Sequence, residues 1–210
     1  MNRPLVISDC DEVLLHMVAH FRDWLGEETQ VDFDMQGADF TNAMRWRGSG
    51  EPLEHKDIWR YLGRFFDTQM DRQLPILGAI EGINTLAEKA DVVILTNLTD
   101  ERQLHRVEQL AKHGLDAKVY TNQGPKGPAL QRILAEYEPS RAIFIDDLPQ
   151  HHQSARETLA GDITTLHLCG EPALAPHIAC AHRAGHADAR IDDWASALPW
   201  LLDRIEGKPA

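Results

Sequence analysis

The stretch Leu5-Val6-Ile7-Ser8-Asp9-Cys10-Asp11-Glu12-Val13 is a short apolar run that ends in two carboxylates separated by one residue. An apolar run of this length suits a strand covered on both faces in a parallel sheet. Ligands of such sheets bind beyond the carboxyl ends of the strands, so the pattern sets Asp9 and Asp11 at the mouth of a cleft. Alternation along an extended chain would send both aspartates to one side and Cys10 to the other. On that ground Cys10 is read as a packing residue and not as a nucleophile.

Two further segments repeat the design. Val92-Val93-Ile94-Leu95-Thr96-Asn97 ends in a hydroxyl, and Ala142-Ile143-Phe144-Ile145-Asp146-Asp147 ends in adjacent acids. Strands are expected over residues 4–9, 91–96, 117–120, 141–146 and 162–168. Between them run helical stripes: Ile80, Ile83, Leu86 and Ala87; then Leu104, Val107, Leu110 and Ala111, stopped by Gly114. Leu130, Ile133, Leu134 and Tyr137 form the next, and Trp194, Leu198, Leu201, Leu202 and Ile205 the last. Strand alternating with helix predicts an α/β fold with a doubly wound, Rossmann-like parallel sheet.

The rhythm breaks from about Leu15 to Pro75, where Val18, Phe21, Leu25 and Ile58, Leu62, Phe65 form helical stripes and no good strand is visible. This predicts a small α-helical domain over residues 15–75, inserted into a core made of 1–14 and 76–210. An insertion directly behind Asp9 and Asp11 is expected to serve as a lid. Residues 41–64 hold four arginines and one lysine against three acids. Arg45 and Arg47, flanking Gly48-Ser49-Gly50, are the candidates to reach an anionic substrate.

The chain has 210 residues, 43% hydrophobic and 26% charged, which is ordinary for a soluble globular protein. A net charge of −12 argues against nucleic acid and anionic membranes as partners, since both need a basic surface. No apolar run approaches the roughly 20 residues that cross a bilayer. A strand starting at Pro4 leaves no room for a cleavable signal, so a cytoplasmic location is expected. Three cysteines, an odd and sparse set, suggest reduced thiols. A monomer and a homodimer are equally compatible with this composition.

The carboxyl ends of parallel strands lie together. Asp9, Asp11, Thr96, Asp146 and Asp147 are therefore expected to share one small volume with Lys126 of Gly124-Pro125-Lys126-Gly127-Pro128. Clustered carboxylates repel one another and otherwise take up protons, so such a volume calls for a cation. Mg²⁺ suits it, because that ion accepts a few carboxylates, waters and a phosphate oxygen. An ammonium and a hydroxyl beside the metal suit a phosphoryl group, whose charge must be neutralised as it moves.

In this order the residues resemble the four motifs of the haloacid dehalogenase-like superfamily. Asp9-Cys10-Asp11-Glu12-Val13 resembles the first, Thr96 the second, Lys126 the third and Asp146-Asp147 the fourth, with the helical insertion where that superfamily places its C1-type cap. The resemblance implies that Asp9 attacks phosphorus to form an aspartyl-phosphate and that Asp11 is the general acid and base. It implies that Asp9, Asp146 and the main-chain carbonyl of Asp11 surround Mg²⁺, with Asp147 in support. Thr96, Asn97 and Lys126 would hold the phosphoryl oxygens. Dehalogenases of the superfamily typically lack the second aspartate, so its presence implies a phosphatase acting on a small phosphorylated metabolite. The alternatives are a phosphomutase and a catalytically silent module that binds a phosphorylated ligand.

Overall fold

The computed structural model of the chain describes residues 2–34 and 40–208. In chain order its main elements are β1 (Leu5–Ser8), α1 (Val18–Glu28), β2 (Val31–Phe33), β3 (Met44–Trp46), α2 (His55–Thr68), α3 (Ala79–Ala87) and β4 (Asp91–Thr96). There follow α4 (Gln103–Lys112), β5 (Lys118–Thr121), α5 (Gly127–Tyr137), β6 (Ala142–Asp146), α6 (Pro149–Leu159), β7 (Thr164–His167), β8 (Ala189–Arg190) and α7 (Trp194–Ile205). They divide into two compact units, Met1–Leu15 with Pro75–Ala210, and His16–Leu74.

The first unit is organised by a six-stranded sheet in the order β5-β4-β1-β6-β7-β8, with every neighbouring pair parallel. The earliest strand is central. Leu5 lies opposite Asp91 of β4 on one side and Ala142 of β6 on the other, so the carboxyl ends of these three strands finish near one another. Both sheet faces are covered, as the unbroken apolar runs require. Leu5, Ile7, Val93, Leu95 and Phe144 pack against Leu130, Ile133 and Ala155 of α5 and α6. Val6, Ile94, Ile143 and Ile145 pack on the other face with Ile83 and Leu86 of α3 and Trp194 and Leu201 of α7. Each such buried side chain contributes about 1.5–3 kcal/mol. This is the doubly wound α/β architecture expected from the alternation.

Two close approaches fix helices beside the site. Trp194 Nε1 donates to the carbonyl oxygen of Val13 at 2.8 Å, so α7 holds the loop that follows β1. At the start of α5, a Cβ on Gly127 would run into the carbonyl oxygen of Ser154 and the hydroxyl of Thr158 on α6. Gly127→Ala is therefore expected to destabilise the protein by about 1–3 kcal/mol through overpacking, a loss that urea denaturation would read directly.

Three elements differ from expectation. The buried positions of α4 are Arg106, Gln109 and Leu110, whereas Leu104 is 72% exposed and Ala111 lies on the surface. Of the expected stripe, Val107 and Leu110 pack on the core and Leu104 and Ala111 do not, while Arg106 is drawn inward by partners on the β1 loop. A sixth strand, β8, adds two residues at the sheet edge, too short for any periodicity to announce. The insertion is also not wholly helical. In the second unit β2 and β3 form an antiparallel ribbon, with Val31 opposite Trp46 and Phe33 opposite Met44. Its strands are three residues each, below the length at which alternation can be recognised. Phe21 of α1, Phe33 of β2 and Phe65 of α2 hold this unit together, the Phe21 and Phe65 rings meeting edge to face at 5.4 Å. Among the described residues no helix is long and apolar enough to cross a membrane.

Candidate active site

β1 ends at Ser8, and the backbone N–H of Asp9 donates to the carbonyl of Ile145 on β6 at 2.8 Å. That bond sets the first residue beyond β1 beside the end of β6. Asp146 closes β6, and its carboxylate Oδ1 accepts from the backbone N–H of Leu148 at 2.9 Å. Lys126 immediately precedes α5 and is fully buried. Its Nζ lies 2.8 Å from Asp9 Oδ1 and 2.7 Å from Asp146 Oδ2. One carboxylate oxygen each from Asp9, Asp146 and Asp147 falls within 4.8 Å of the others. The structure thus brings four of the sequence-derived residues into one buried cluster of three carboxylates and one ammonium.

The charges are unevenly settled. Burial pushes Asp9 up to about 7, Lys126 pulling against it while Asp146 and Asp11 add to the rise. Burial also raises Asp147 well above the usual carboxylate range, reinforced by Asp146, Asp9 and Glu12. Burial works on Asp146 too, but the adjoining ammonium of Lys126 and two nearby imidazoles outweigh it and hold this acid low. For Lys126 burial disfavours the cation, and Asp146 and Asp9 more than compensate. One ammonium therefore does not neutralise three acids; Asp9 and Asp147 both hold their protons above the usual carboxylate range. Such a donor set fits a hard divalent cation, which would replace those protons.

Thr96 ends β4, fully buried, and its hydroxyl has no hydrogen-bond partner among the described residues. A buried hydroxyl in that state costs free energy unless a ligand oxygen completes it. Asn97 beside it donates from Nδ2 to the carbonyl of Gly124 at 3.0 Å and accepts at Oδ1 from Asn122 at 2.9 Å. Asn97 is thereby committed to holding the loop ahead of Lys126. His151, in the first turn of α6, lies 3.4 Å from Asn97 Nδ2 through its Nε2.

Asp11 is not one of the three grouped carboxylates, but it lies near enough for its charge to raise Asp9. Its two oxygens, each at 2.9 Å, accept from Nη2 of Arg106, whose Nη1 also reaches Cys10 Sγ at 3.1 Å. The Cys10 thiol, fully buried, is raised by that burial far from thiolate formation, which agrees with a packing residue. Arg106 was not foreseen. Its only signal in the sequence is an arginine on a helix whose apolar stripe is incomplete. Arg45 and Arg47 belong to the second unit and have partners inside it. Arg45 Nη1 donates to the carbonyl of Gly50, and Arg47 pairs with Asp32 at 2.9 Å and with the carbonyl of Gly26.

No protein-family model and no curated protein matches the chain by sequence. Solved structures do match its fold. One assigned as a β-phosphoglucomutase from Thermotoga maritima has a TM-score of 0.62 at 12% identity, the match covering 95% of this chain and 99% of that one. One assigned as a phosphoglycolate phosphatase from Lactobacillus plantarum has a TM-score of 0.61 at 13% identity, over 95% and 99% of the two chains. A defluorinating L-2-haloacid dehalogenase has a TM-score of 0.61 at 13% identity, over 96% of each chain. The chain has the fold of the haloacid dehalogenase-like hydrolases. Because these three names span transfer, phosphate hydrolysis and dehalogenation on one scaffold, the fold does not select among them, and the side chains must.

Proposed function

We propose that this chain is a phosphatase of the haloacid dehalogenase-like kind, hydrolysing a small organic phosphate monoester with Mg²⁺ and forming an aspartyl-phosphate on Asp9. The observation that carries this reading is the buried Lys126 bridging Asp9 and Asp146, with Asp147 beside them. An ammonium in contact with a nucleophilic carboxylate balances the charge that gathers when the carboxylate meets a phosphoryl group. Asp9, Asp146 and Asp147, with the main-chain carbonyl of Asp11, are the proposed holders of Mg²⁺. Bound there, the ion would supply positive charge to the phosphoryl oxygens.

The residues of the chain then have separate tasks. Asp9 Oδ attacks phosphorus while the bond to the leaving oxygen breaks. Thr96 donates its hydroxyl hydrogen to a phosphoryl oxygen, and Lys126 neutralises Asp9 and the transferred group. A water cleaves the aspartyl-phosphate, and Asp11 handles protons. The unit inserted between Leu15 and Pro75 is the proposed specificity element, with Arg45 and Arg47 as its anion-binding side chains. The test is release of inorganic phosphate from a panel of phosphorylated metabolites with and without Mg²⁺. Isomerised sugar phosphate in place of free phosphate would establish a mutase, and ligand binding without turnover a silent module.

The proton inventory gives a second check. Mg²⁺ would have to displace protons held by Asp9 and Asp147, so its binding is expected to strengthen as pH rises through about 7, where Asp9 gives up its proton. In the metal-free protein the sign is reversed. Acids whose folded-state affinity for protons is raised contribute stability at low pH, and that contribution disappears as pH climbs through 7. The rise in melting temperature produced by Mg²⁺ is therefore expected to grow steadily from pH 6 to pH 8, as differential scanning fluorimetry would record. A pH-independent rise would remove Asp9 from the metal site.

A further inference from the structure

Beyond the carboxyl end of β7 the chain runs through residues 168–188 before it returns as β8, and this loop and the end of β8 bound an open cavity of about 470 Å³. A volume of that size accepts a small organic molecule. Its lining includes Pro176, Ile178, Cys180, Arg183, Arg190 and Asp192, and no member of the carboxylate cluster. Arg190 gives the cavity its frame. Its Nη1 and Nη2 donate to the carbonyls of Ile178 and Ala175 at 2.8 and 2.6 Å, and its Nε pairs with Asp192 at 2.9 Å, so this guanidinium is committed to the wall. Arg183 is the other cation of the lining; it is exposed, and among the described residues it has no carboxylate partner. Two guanidiniums against one carboxylate make the lining net positive, in a chain whose net charge is −12. The thiol of Cys180 shares this setting. Cys10 and Cys169 are fully buried, and burial drives both thiols away from thiolate formation, whereas Cys180 is partly exposed. Burial works against its thiolate too, but the backbone N–H of Arg183, donating to Sγ at 3.4 Å, and the two guanidiniums outweigh it and hold this thiol below the ordinary range.

We propose that this cavity is a thiolation site, at which Cys180 exchanges with a low-molecular-weight disulfide that carries carboxylates, the class to which glutathione disulfide belongs. The cavity supplies the room, Arg183 pairs with a carboxylate of the ligand, and Pro176 and Ile178 cover its methylene groups. In the exchange the Cys180 thiolate bonds through Sγ to one sulfur of the disulfide. The bond between the two disulfide sulfurs breaks, and its electron pair leaves on the far sulfur as a thiolate. The proton of Cys180 passes to solvent beforehand and the departing thiolate takes one up afterwards, so no further oxidant or reductant enters. Excess free thiol runs the same step backwards, which makes the modification reversible. The site is independent of the phosphatase reading, because none of the residues proposed for phosphoryl transfer lines it.

The experiment exposes the full chain, at fixed pH, to anionic glutathione disulfide, neutral hydroxyethyl disulfide and cationic cystamine. Rates of adduct formation are followed by intact mass, and peptide mapping locates the adduct. Glutathionylation is expected at Cys180, with Cys10 and Cys169 unmodified in the folded protein. Because the same thiolate attacks each disulfide, its nucleophilicity cancels from the ratios of the rates, and the ratios read the cavity walls. The preference for glutathione disulfide over cystamine is expected to exceed that of a short uncharged cysteine peptide by at least about tenfold, the lower end of electrostatic steering, and to shrink as salt is raised. Arg183→Gln should bring the ratio close to that of the peptide, and Arg183→Lys should restore part of it. Arg183 is exposed, so neither change removes a core contact, and circular dichroism confirms that the fold is kept. A thiol that is merely accessible would show the peptide's ratio in the wild type and no response to Arg183→Gln, and either result overturns the proposal. So does an adduct on Cys10 or Cys169 of the folded chain, or no adduct with glutathione disulfide.

Discussion

Asp9→Asn is expected to lower kcat by about 10⁴-fold or more, since a covalent nucleophile removed alone costs nearly as much as the whole catalytic set. The amide keeps the size of the carboxylate but cannot bond to phosphorus. Folding should not suffer. Asp9 is an acid that burial and its carboxylate neighbours make costly to ionise, so neutralising it relieves repulsion while Lys126 retains Asp146 at 2.7 Å. A melting temperature equal to or above that of the wild type, beside lost phosphate release, separates chemistry from structure. Mass spectrometry of quenched wild-type reactions should find the phosphoryl group on the peptide containing Asp9 and not in the variant. Wild-type turnover by Asp9→Asn would refute the assignment.

Lys126→Met is expected to be the most destabilising single change in the site. It leaves Asp9 and Asp146 buried without the ammonium that now contacts both. Breaking a buried charge pair from one side costs about 3–5 kcal/mol, which for a protein of this length lowers the melting temperature by about 6–20 °C. The loss depends on pH with a definite sign. Without Lys126, Asp9 holds its proton to still higher pH, so the variant suffers least in acid and most in alkali. Saturating Mg²⁺ should return part of the lost stability, because it supplies the missing positive charge to the same carboxylates. A variant as stable as wild type at pH 8 without metal would mean that the three acids are not interacting as their distances indicate. Phosphate release should fall along with stability, but chemical rescue of folding by Mg²⁺ should not bring it back.

How much of this was legible in the sequence varies with the range of the interaction responsible. The central strands announced themselves because a strand covered on both faces has to be apolar throughout, and Val92–Leu95 and Ala142–Ile145 have no other explanation as cheap. Asp9, Lys126, Asp146 and Asp147 were legible through topology, since each sits where a parallel strand or its following helix meets the sheet edge. Their individual signals were weak. The face of α4 was only half legible, through Val107 and Leu110, because Arg106 on its buried side pairs with a residue 95 positions earlier, and hydrophobic periodicity contains no such term. The ribbon of β2 and β3 was invisible because three residues per strand give too few positions to alternate.

The place of β1 in the sheet has a consequence for how the protein is made. Leu5 to Ser8 are synthesised before their partners, residues 91–94 and 142–145. The nascent strand remains apolar and unpaired on both edges until β4 and then β6 follow, a span in which it is a natural client for chaperones that hold unfolded chains. Pairing at such separations is slow by nature. Asp9 gains Lys126 and Asp146 only once β6 has been synthesised, and the Val13 carbonyl waits for Trp194. A nascent chain therefore has no finished form of the proposed metal site to offer, and the proposed ion would enter late, as a ligand of an assembled sheet and not as the template on which it forms.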